Sequence, residues 1–357
     1  LGTALKTSDF AYKLPPELIA QRPTPGRDES RLLVVDRKTG SLTEHLFSDI
    51  VAFFSAGDVV VINNSKVIPA RLFGRKASGA QIEIFLLKKT QDEMWEALLK
   101  PAKRVQVGST IALPAAGKLE ILARCDEKRW LVRFSLTMPL LDFLEAYGQT
   151  PLPPYISRPQ GASAQNPQNP TDVMTDVMDD KERYQTVYAQ KAGSVAAPTA
   201  GLHFSKATLA ALVREGVVLA PLTLHIGYGT FAPITSEEIE AHHMEAEQFE
   251  LPPETALIVN SSKRVIAVGS TACRVLESTS GSKGVVMPQT GVTDLFIKPG
   301  YRFQVVDCLL TNFHLPRSTL FILVCAFAGR DLMFEAYRYA IAAKFRFYSY
   351  GDCMLII

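Results

Sequence analysis

The sequence predicts an α/β protein carrying an inserted all-β unit, either a small antiparallel barrel or a sandwich. Three observations predict it. Val59-Val60-Val61-Ile62 is a run of apolar β-formers with no polar face, as in a strand buried on both sides. A strand, polar turn and helix follow one another at Val265–Glu277. Between Leu72 and Tyr147 the texture changes to short alternating runs separated by turns at near-regular intervals.

At 357 residues the chain is long for one core, so one large domain with an insertion, or two domains, is expected. Apolar residues at 47% and charged residues at 21% exclude a disordered or fibrous chain. With a net charge of +2, any nucleic-acid contact must come from local basic clusters. Cys125, Cys273, Cys308, Cys325 and Cys353 show no C-x-x-C spacing and read as reduced structural thiols. No basic-then-apolar segment opens the chain, and the apolar run Leu320–Ala328 is too short to span a bilayer. A cytoplasmic location is expected.

In chain order, Leu14–Ala20 predicts a short helix, with proline at its start and Glu17 in its first turn. Arg22, Arg27 and Arg31 surround a polar loop before the strand Leu32–Val35, and Phe47–Phe54 has helical spacing. The strand Val59–Ile62 ends in Asn63-Asn64-Ser65-Lys66, which reads as a binding site or equally as a capping turn. Arg71 closes that stretch.

Within the inserted unit, strands are expected at Gln81–Leu87, Trp95–Lys100, Thr110–Leu113, Leu119–Arg124 and Trp130–Leu136. Two basic clusters, Arg71/Arg75/Lys76 and Lys100/Lys103/Arg104, read either as solvated charge or as phosphate contacts. Pro151–Ile156 is a rigid return to the first domain. Arg158–Asp180 lacks the apolar content to fold alone and is expected to be a mobile loop.

The chain is organised around Ser194–Phe231, where two small-residue turns bracket a predicted helix. The first carries Thr199, Gly201 and His203; the second carries His225, Gly227, Gly229 and Thr230. Ser236-Glu237-Glu238-Ile239 then predicts a helix start with a hydroxyl cap. It runs into an acid- and histidine-rich stretch in which the adjacent His242 and His243 point to different sides, so no metal site is expected. Pro253–Ala256 begins another helix.

Gly269, Ser270 and Thr271 lie at a strand–helix junction, a cradle for an anionic or carbonyl oxygen or merely a cap. Arg274 is inside that helix. Gly291–Tyr301, with Asp294, is another strand and turn, and Leu309–Leu320 interrupts an apolar region with polar residues that include Thr311, Asn312, His314 and Ser318. Phe321–Ala326 is a buried segment, and Leu332–Phe345 an amphipathic helix.

Strand followed by polar turn recurs at Asn63, Thr199, His225, Gly269, Thr293 and Thr311. If these strands share one sheet, their polar ends converge on one pocket. No P-loop, G-x-G-x-x-G or serine nucleophile elbow is present. Spacing alone stops at an enzyme of unknown chemistry with a site rich in histidine and hydroxyls.

Long strings in the chain closely resemble the S-adenosylmethionine:tRNA ribosyltransferase-isomerase family of the queuosine pathway. They include Leu14–Pro23, Val67–Arg71, Tyr184–Ala189, Ala196–Phe204, His225–Phe231, Val265–Glu277, Thr311–Leu320 and Tyr348–Leu355. The resemblance implies a larger α/β catalytic domain, here residues 1–71 and 148–357, and a smaller inserted antiparallel β-barrel domain, residues 72–147. It implies transfer and isomerisation of the ribosyl group of S-adenosylmethionine (AdoMet) onto 7-aminomethyl-7-deazaguanine at the wobble position of a tRNA with a GUN anticodon. Epoxyqueuosine forms, and adenine and methionine are released.

AdoMet would be a co-substrate and no other cofactor is implied; a monomer with no membrane partner is expected. The chemistry needs a base, an acid for adenine and donors for developing charge. His203, His225, Glu247 and His314 are the catalytic candidates by location. Arg71, Thr199, Gly201, Gly227, Gly229, Thr230, Ser270, Thr271, Arg274, Asp294, Thr311, Asn312 and Ser318 are the substrate-binding candidates. Lys100, Lys103 and Arg104 are expected to meet tRNA.

Two positions depart from the family pattern: Asn64 stands in Asn63-Asn64-Ser65-Lys66 where an aspartate is common, and Glu245 where a histidine is common. A non-catalytic RNA-binding relative and an AdoMet-dependent enzyme acting on a free nucleobase are the competing readings.

Overall fold

The computed structural model describes residues 5–91, 93–158, 180–227, 229, 234–281 and 283–357. The strands are β1 (Arg31–Val35), β2 (Leu42–Leu46), β3 (Asp58–Asn63), β4 (Ser65–Val67), β5 (Arg71–Arg75), β6 (Gln81–Gln91), β7 (Met94–Lys100), β8 (Thr110–Ala112), β9 (Lys118–Arg124) and β10 (Arg129–Ser135). After the inserted unit come β11 (Lys191–Ser194), β12 (Val218–Leu224), β13 (Glu247–Leu251), β14 (Arg264–Val268), β15 (Gln289–Thr293), β16 (Cys308–Asn312) and β17 (Cys353–Ile356).

Nine of these form one mixed sheet in the order β15-β13-β12-β3-β14-β16-β17-β1-β2. Its centre is parallel: β12 pairs with β3, β3 with β14 and β14 with β16 in the same direction. Every residue of β3 and of β16 is buried, which is why their sequences show no alternation. The α-helices are α1 (Leu140–Tyr147), α2 (Lys206–Arg214), α3 (Pro253–Ser261), α4 (Gly269–Thr279), α5 (Thr319–Ala328) and α6 (Arg330–Ala342), and short 3-10 segments such as Phe47–Phe53 join the strands. Two apolar clusters pack the sheet's faces, one around Val59, Val61 and Phe313, the other around Val60, Ile62 and Phe204.

The alternating region closes into a six-stranded barrel, β10-β7-β6-β5-β8-β9, with every pairing antiparallel. Of the two readings left open by alternation, barrel and sandwich, the barrel is correct. Its own core contains Ile82, Ile84, Trp130 and Val132 and takes in Phe143 and Leu144 of α1. Glycine is required at Gly74, where a Cβ would come within 2.4 Å of Ile111 Cγ2.

Three expectations from the sequence change. The short helix expected at Leu14–Ala20 is only the 3-10 turn Pro16–Leu18. Ser236 does not cap a helix: only the single turn Ile239–Ala241 forms, and Ser236 Oγ has no partner among the described residues. The reason is competition from the N-terminal segment. Thr7 N–H donates to the Glu237 carbonyl at 2.8 Å and Ile239 N–H to the Leu5 carbonyl at 3.1 Å, so groups a helix would use are already paired. The segment Phe321–Ala326 lies within helix α5, which Gly329, at φ 88°, separates from α6.

The expected loop between Arg158 and Asp180 lies, apart from those two residues, outside the described residues. The two ends meet: Arg158 Nε and Nη2 each donate to Asp180 at 2.7 Å, and Tyr350 OH donates to the same carboxylate at 2.9 Å. Among the described residues no helix is long and apolar enough to cross a membrane.

Candidate functional site

The parallel centre of the sheet brings the ends of β3, β12, β14 and β16 to one edge, where Asn63, His225, Gly269 and Asn312 stand. Asn63 ties two of them together. Its Nδ2 donates to the Leu224 carbonyl at 2.9 Å, and its Oδ1 accepts from Leu224 N–H at 3.0 Å. Thr199 arrives by a different route and does not end a strand of this sheet. It opens the 3-10 turn Thr199–His203 after β11, which pairs with β4 in a separate two-stranded sheet.

Where one pocket is expected, two cavities open at this edge, and Ile226 belongs to the walls of both. The narrow one, about 70 Å³, is bounded by Thr199, Gly269, Ser270, Thr271, Thr311, Asn312, His314 and Ser318, with Tyr155, Phe313 and Tyr348 supplying rings. No acidic side chain, lysine or arginine lines it among the described residues. Ser318 caps α5, accepting from Phe321 N–H at 3.2 Å.

His314 meets Thr311 Oγ1 at 2.7 Å through Nε2, its N–H donates to Tyr337 OH at 3.0 Å, and its carbonyl accepts from Tyr12 OH. His203 does not line the cavity; it sits behind Asn312. Its Nδ1 is 2.6 Å from Ser30 Oγ and its Nε2 3.1 Å from Asn312 Nδ2. Burial pushes both histidines down to about 3, helped at His203 by the charges of Arg346 and Arg27. Both rings are neutral at pH 7.

The stability consequence has a definite sign. The unfolded histidines bind protons near 6.5 and the folded ones only near 3, so stability is complete above 6.5 and falls as the pH drops through that window. Urea unfolding from pH 7 to pH 4 is expected to show this loss, smaller in His314→Gln than in the parent; an equal loss in both would remove His314 from the account.

The wide cavity is a cleft of about 1150 Å³ between the barrel and the sheet edge. The barrel contributes Trp95, Lys100 and Arg129; the sheet edge contributes His225, Gly227, Gly229, Glu245 and Glu247. His225 Nδ1 lies 2.8 Å from Ser65 Oγ, which meets Ser194 Oγ at 2.6 Å, and Ser194 Oγ accepts from Ile226 N–H at 2.9 Å. The ring lies against Gly193, where a Cβ would come within 2.7 Å of it. Burial, then the charge of Lys191, lowers the pKa of His225. Gly193→Ala is expected to displace the ring and cut kcat at least about tenfold, with some loss of stability because Gly193 sits at φ 155°; unchanged turnover in folded protein would free the ring from any catalytic demand.

Glu247 is buried and paired. Arg274 Nη1 lies 2.6 Å from its Oε2, and Gly227 N–H donates to its Oε1 at 3.0 Å. Arg274 also donates through Nη2 to the Thr293 carbonyl at 3.3 Å. The carboxylate thereby fixes the turn after His225. Glu245 is exposed and lies over Gly229, where a Cβ would come within 2.5 Å of its Oε2. Asn64 accepts from Thr223 Oγ1 at 2.7 Å through Oδ1, a bond that needs no carboxylate.

Several candidates lie apart from both cavities. Asp294 is exposed and lines neither. Gly201 is a packing position, since a Cβ there would reach within 2.0 Å of Tyr188 OH. Arg71 faces Glu83 at 3.2 Å in a third cavity, of about 380 Å³, that shares Lys100 with the cleft. Thr230 lies outside the described residues. Lys103 and Arg104 are exposed on the turn Ala102–Arg104, whose Ala102 lines the cleft. His242 packs edge-on to Phe296 while Glu247 turns inward to Arg274, and no group of three His, Cys, Asp or Glu side chains suited to a metal occurs among the described residues.

Sequence reasoning missed Ser30, Ser65, Ser194 and Gly193 as supports. Nothing local marks them, since each acts through a residue more than 25 positions away.

A small uncharged cavity and a broad charged cleft that share one wall form the layout of an enzyme bringing two unlike substrates together. Residues 7–356 match the model of a family described as "Queuosine biosynthesis protein". The chain is 48% identical over 373 residues to an S-adenosylmethionine:tRNA ribosyltransferase-isomerase of Syntrophus aciditrophicus, covering 99% of this chain and 100% of that protein. It is 46% identical to the enzyme of the same name from Geobacter sulfurreducens, covering 98% and 99%. The crystal structure of an S-adenosylmethionine tRNA ribosyltransferase from Thermotoga maritima matches with a TM-score of 0.53 and 33% identity, covering 98% of this chain and all of that one. The chain belongs to the queuosine biosynthesis family and is an enzyme of the ribosyltransferase-isomerase class.

Proposed function

We propose that the protein transfers and isomerises the ribosyl group of AdoMet onto 7-aminomethyl-7-deazaguanine at the wobble position of tRNA, giving epoxyqueuosine, adenine and methionine. The observation that supports this reading is the near-complete match to relatives named S-adenosylmethionine:tRNA ribosyltransferase-isomerase, a name that gives the co-substrate, tRNA and the reaction type. The two cavities supply its physical side. AdoMet would occupy the narrow cavity and reach toward the cleft at Ile226, and the modified nucleotide would enter the cleft from the barrel side.

In this chemistry the sulfonium acidifies the C5′ protons, a base removes one, and adenine departs. The amine of the deazaguanine attacks the sugar, and methionine leaves as the epoxide ring closes. His225 suits the proton transfer best. It stands at the junction, is neutral at pH 7, and among the described residues only its Nδ1 is shown with a hydrogen-bond partner, leaving Nε2 for the cleft. His203 has both ring nitrogens engaged and lines neither cavity, and Glu247 is neutralised by Arg274. Residues 1–71 with 148–357 would act as the catalytic unit and 72–147 as the unit that grips RNA.

The test is product balance: with AdoMet and tRNA bearing the deazaguanine precursor, adenine and methionine are released in equal amounts. Methyl transfer to the tRNA, or no turnover on confirmed substrate, overturns the reading. For the RNA-gripping role, Lys103→Glu with Arg104→Glu is expected to weaken tRNA binding about tenfold or more and to reduce the slope of log affinity against log salt by about 1 to 2. An unchanged slope would take the turn Ala102–Arg104 out of the RNA contact.

A further inference from the structure

The side-chain amide of Asn312 has only one sensible orientation. Its Nδ2 lies 3.0 Å from the Tyr348 carbonyl, which can only accept, so the nitrogen must face it. The second hydrogen of Nδ2 goes to His203 Nε2 at 3.1 Å. His203 therefore accepts at Nε2, carries its proton on Nδ1, and donates it to Ser30 Oγ.

What this leaves over is an oxygen. Asn312 Oδ1 is buried and has no partner among the described residues, on a residue that is 2% exposed and lines the narrow cavity. Thr271 Oγ1 is a second such atom in the same wall, on a residue 6% exposed. Such groups are costly to leave unmet, and a ligand's hydrogen-bonding groups would relieve that cost.

The rest of the wall says what kind of donor fits. With no charged side chain, and with Tyr155, Phe313 and Tyr348 giving aromatic wall, the cavity suits a neutral heterocycle bearing an amine better than a carboxylate, phosphate or ammonium group.

We propose that the narrow cavity takes the adenine ring of AdoMet, with Asn312 Oδ1 accepting from its exocyclic amine, Thr271 Oγ1 donating to a ring nitrogen, and His203 serving as a positioning residue that holds the amide. This rests on the AdoMet reading above and moves His203 from proton transfer to recognition.

Calorimetric titration with AdoMet, with S-adenosylhomocysteine and with S-inosylhomocysteine, whose 6-oxo group replaces the amine, tests it. The parent enzyme is expected to bind the amino compound at least about tenfold more tightly than the oxo compound. His203→Phe removes the acceptor for Asn312 and shrinks that ratio to about threefold or less. His203→Gln, whose carbonyl oxygen can take the place of Nε2, keeps the ratio. If His203→Phe does not fold, Asn312→Leu is read in its place with the same expected loss. Thr271→Val weakens both homocysteine ligands alike, and unchanged affinity there would remove Thr271.

The failures are distinguishable. If neither AdoMet nor either homocysteine ligand binds the parent enzyme, the AdoMet reading falls. If AdoMet binds but the amino and oxo compounds bind equally, or the ratio survives in folded His203→Phe or Asn312→Leu, that reading stands and the adenine assignment is wrong. Loss of turnover in His203→Gln with the ratio intact would return His203 to the chemistry.

Discussion

His225→Gln lowers kcat by about 100- to 10,000-fold while leaving AdoMet affinity within about threefold, if His225 transfers the proton. The reasoning combines place and charge. Its ring is wedged between Gly193 and the Ser65–Ser194 hydroxyl pair, at the junction of the two cavities. Because burial lowers its pKa below the ordinary 6.5, the basic form is present at pH 7 and is lost only as the pH falls through that lowered value. The pH profile of kcat should therefore show an acid limb below 6.5, and the limb should vanish in His225→Gln. A limb that persists there belongs to another group. Ser65→Ala, which loosens the ring without deleting it, should cost less.

Arg274→Met is expected to destabilise the protein by about 3–5 kcal/mol, because it removes the guanidinium that pairs with the buried Glu247 carboxylate. Replacing both partners, Glu247→Leu with Arg274→Met, should recover most of that loss, since the penalty lies in the uncompensated charge rather than in the missing pair. Denaturant unfolding of the two single variants and the double variant measures this directly. A single-variant loss under about 1 kcal/mol would mean that water reaches the carboxylate. The double variant should still lose activity, because Glu247 also receives the Gly227 N–H that shapes the turn after His225.

The fold was legible wherever one local pattern decided it. The alternating runs between Leu72 and Tyr147 have a period that only strands satisfy, and Val59–Ile62 is too uniformly apolar for an exposed face. The helix expected after Ser236 failed because its competitor, the segment at Leu5–Thr7, lies more than 200 residues away in sequence. At the site, residue types were readable but partnerships were not. Nothing in the string Thr199–His203 shows that His203 faces Ser30 and Asn312 rather than a cavity, and nothing in Glu247 announces Arg274. Such pairings are properties of the sheet order, which periodicity does not contain.

His225 and Ile226 are consecutive, yet they are gripped from opposite flanks. His225 N–H donates to the Gln248 carbonyl at 2.9 Å on one side, while the Ile226 carbonyl accepts from Val195 N–H at 3.1 Å on the other. The histidine proposed for proton transfer and the partition between the two compartments are thus one residue apart on a backbone held from both sides. Their separation is set by chain geometry and not by side-chain packing, so repacking either cavity can retune specificity without moving the histidine relative to the divide. A single inserted or deleted residue at this point would do the opposite, exchanging which compartment receives the imidazole while leaving every residue type of the site in place.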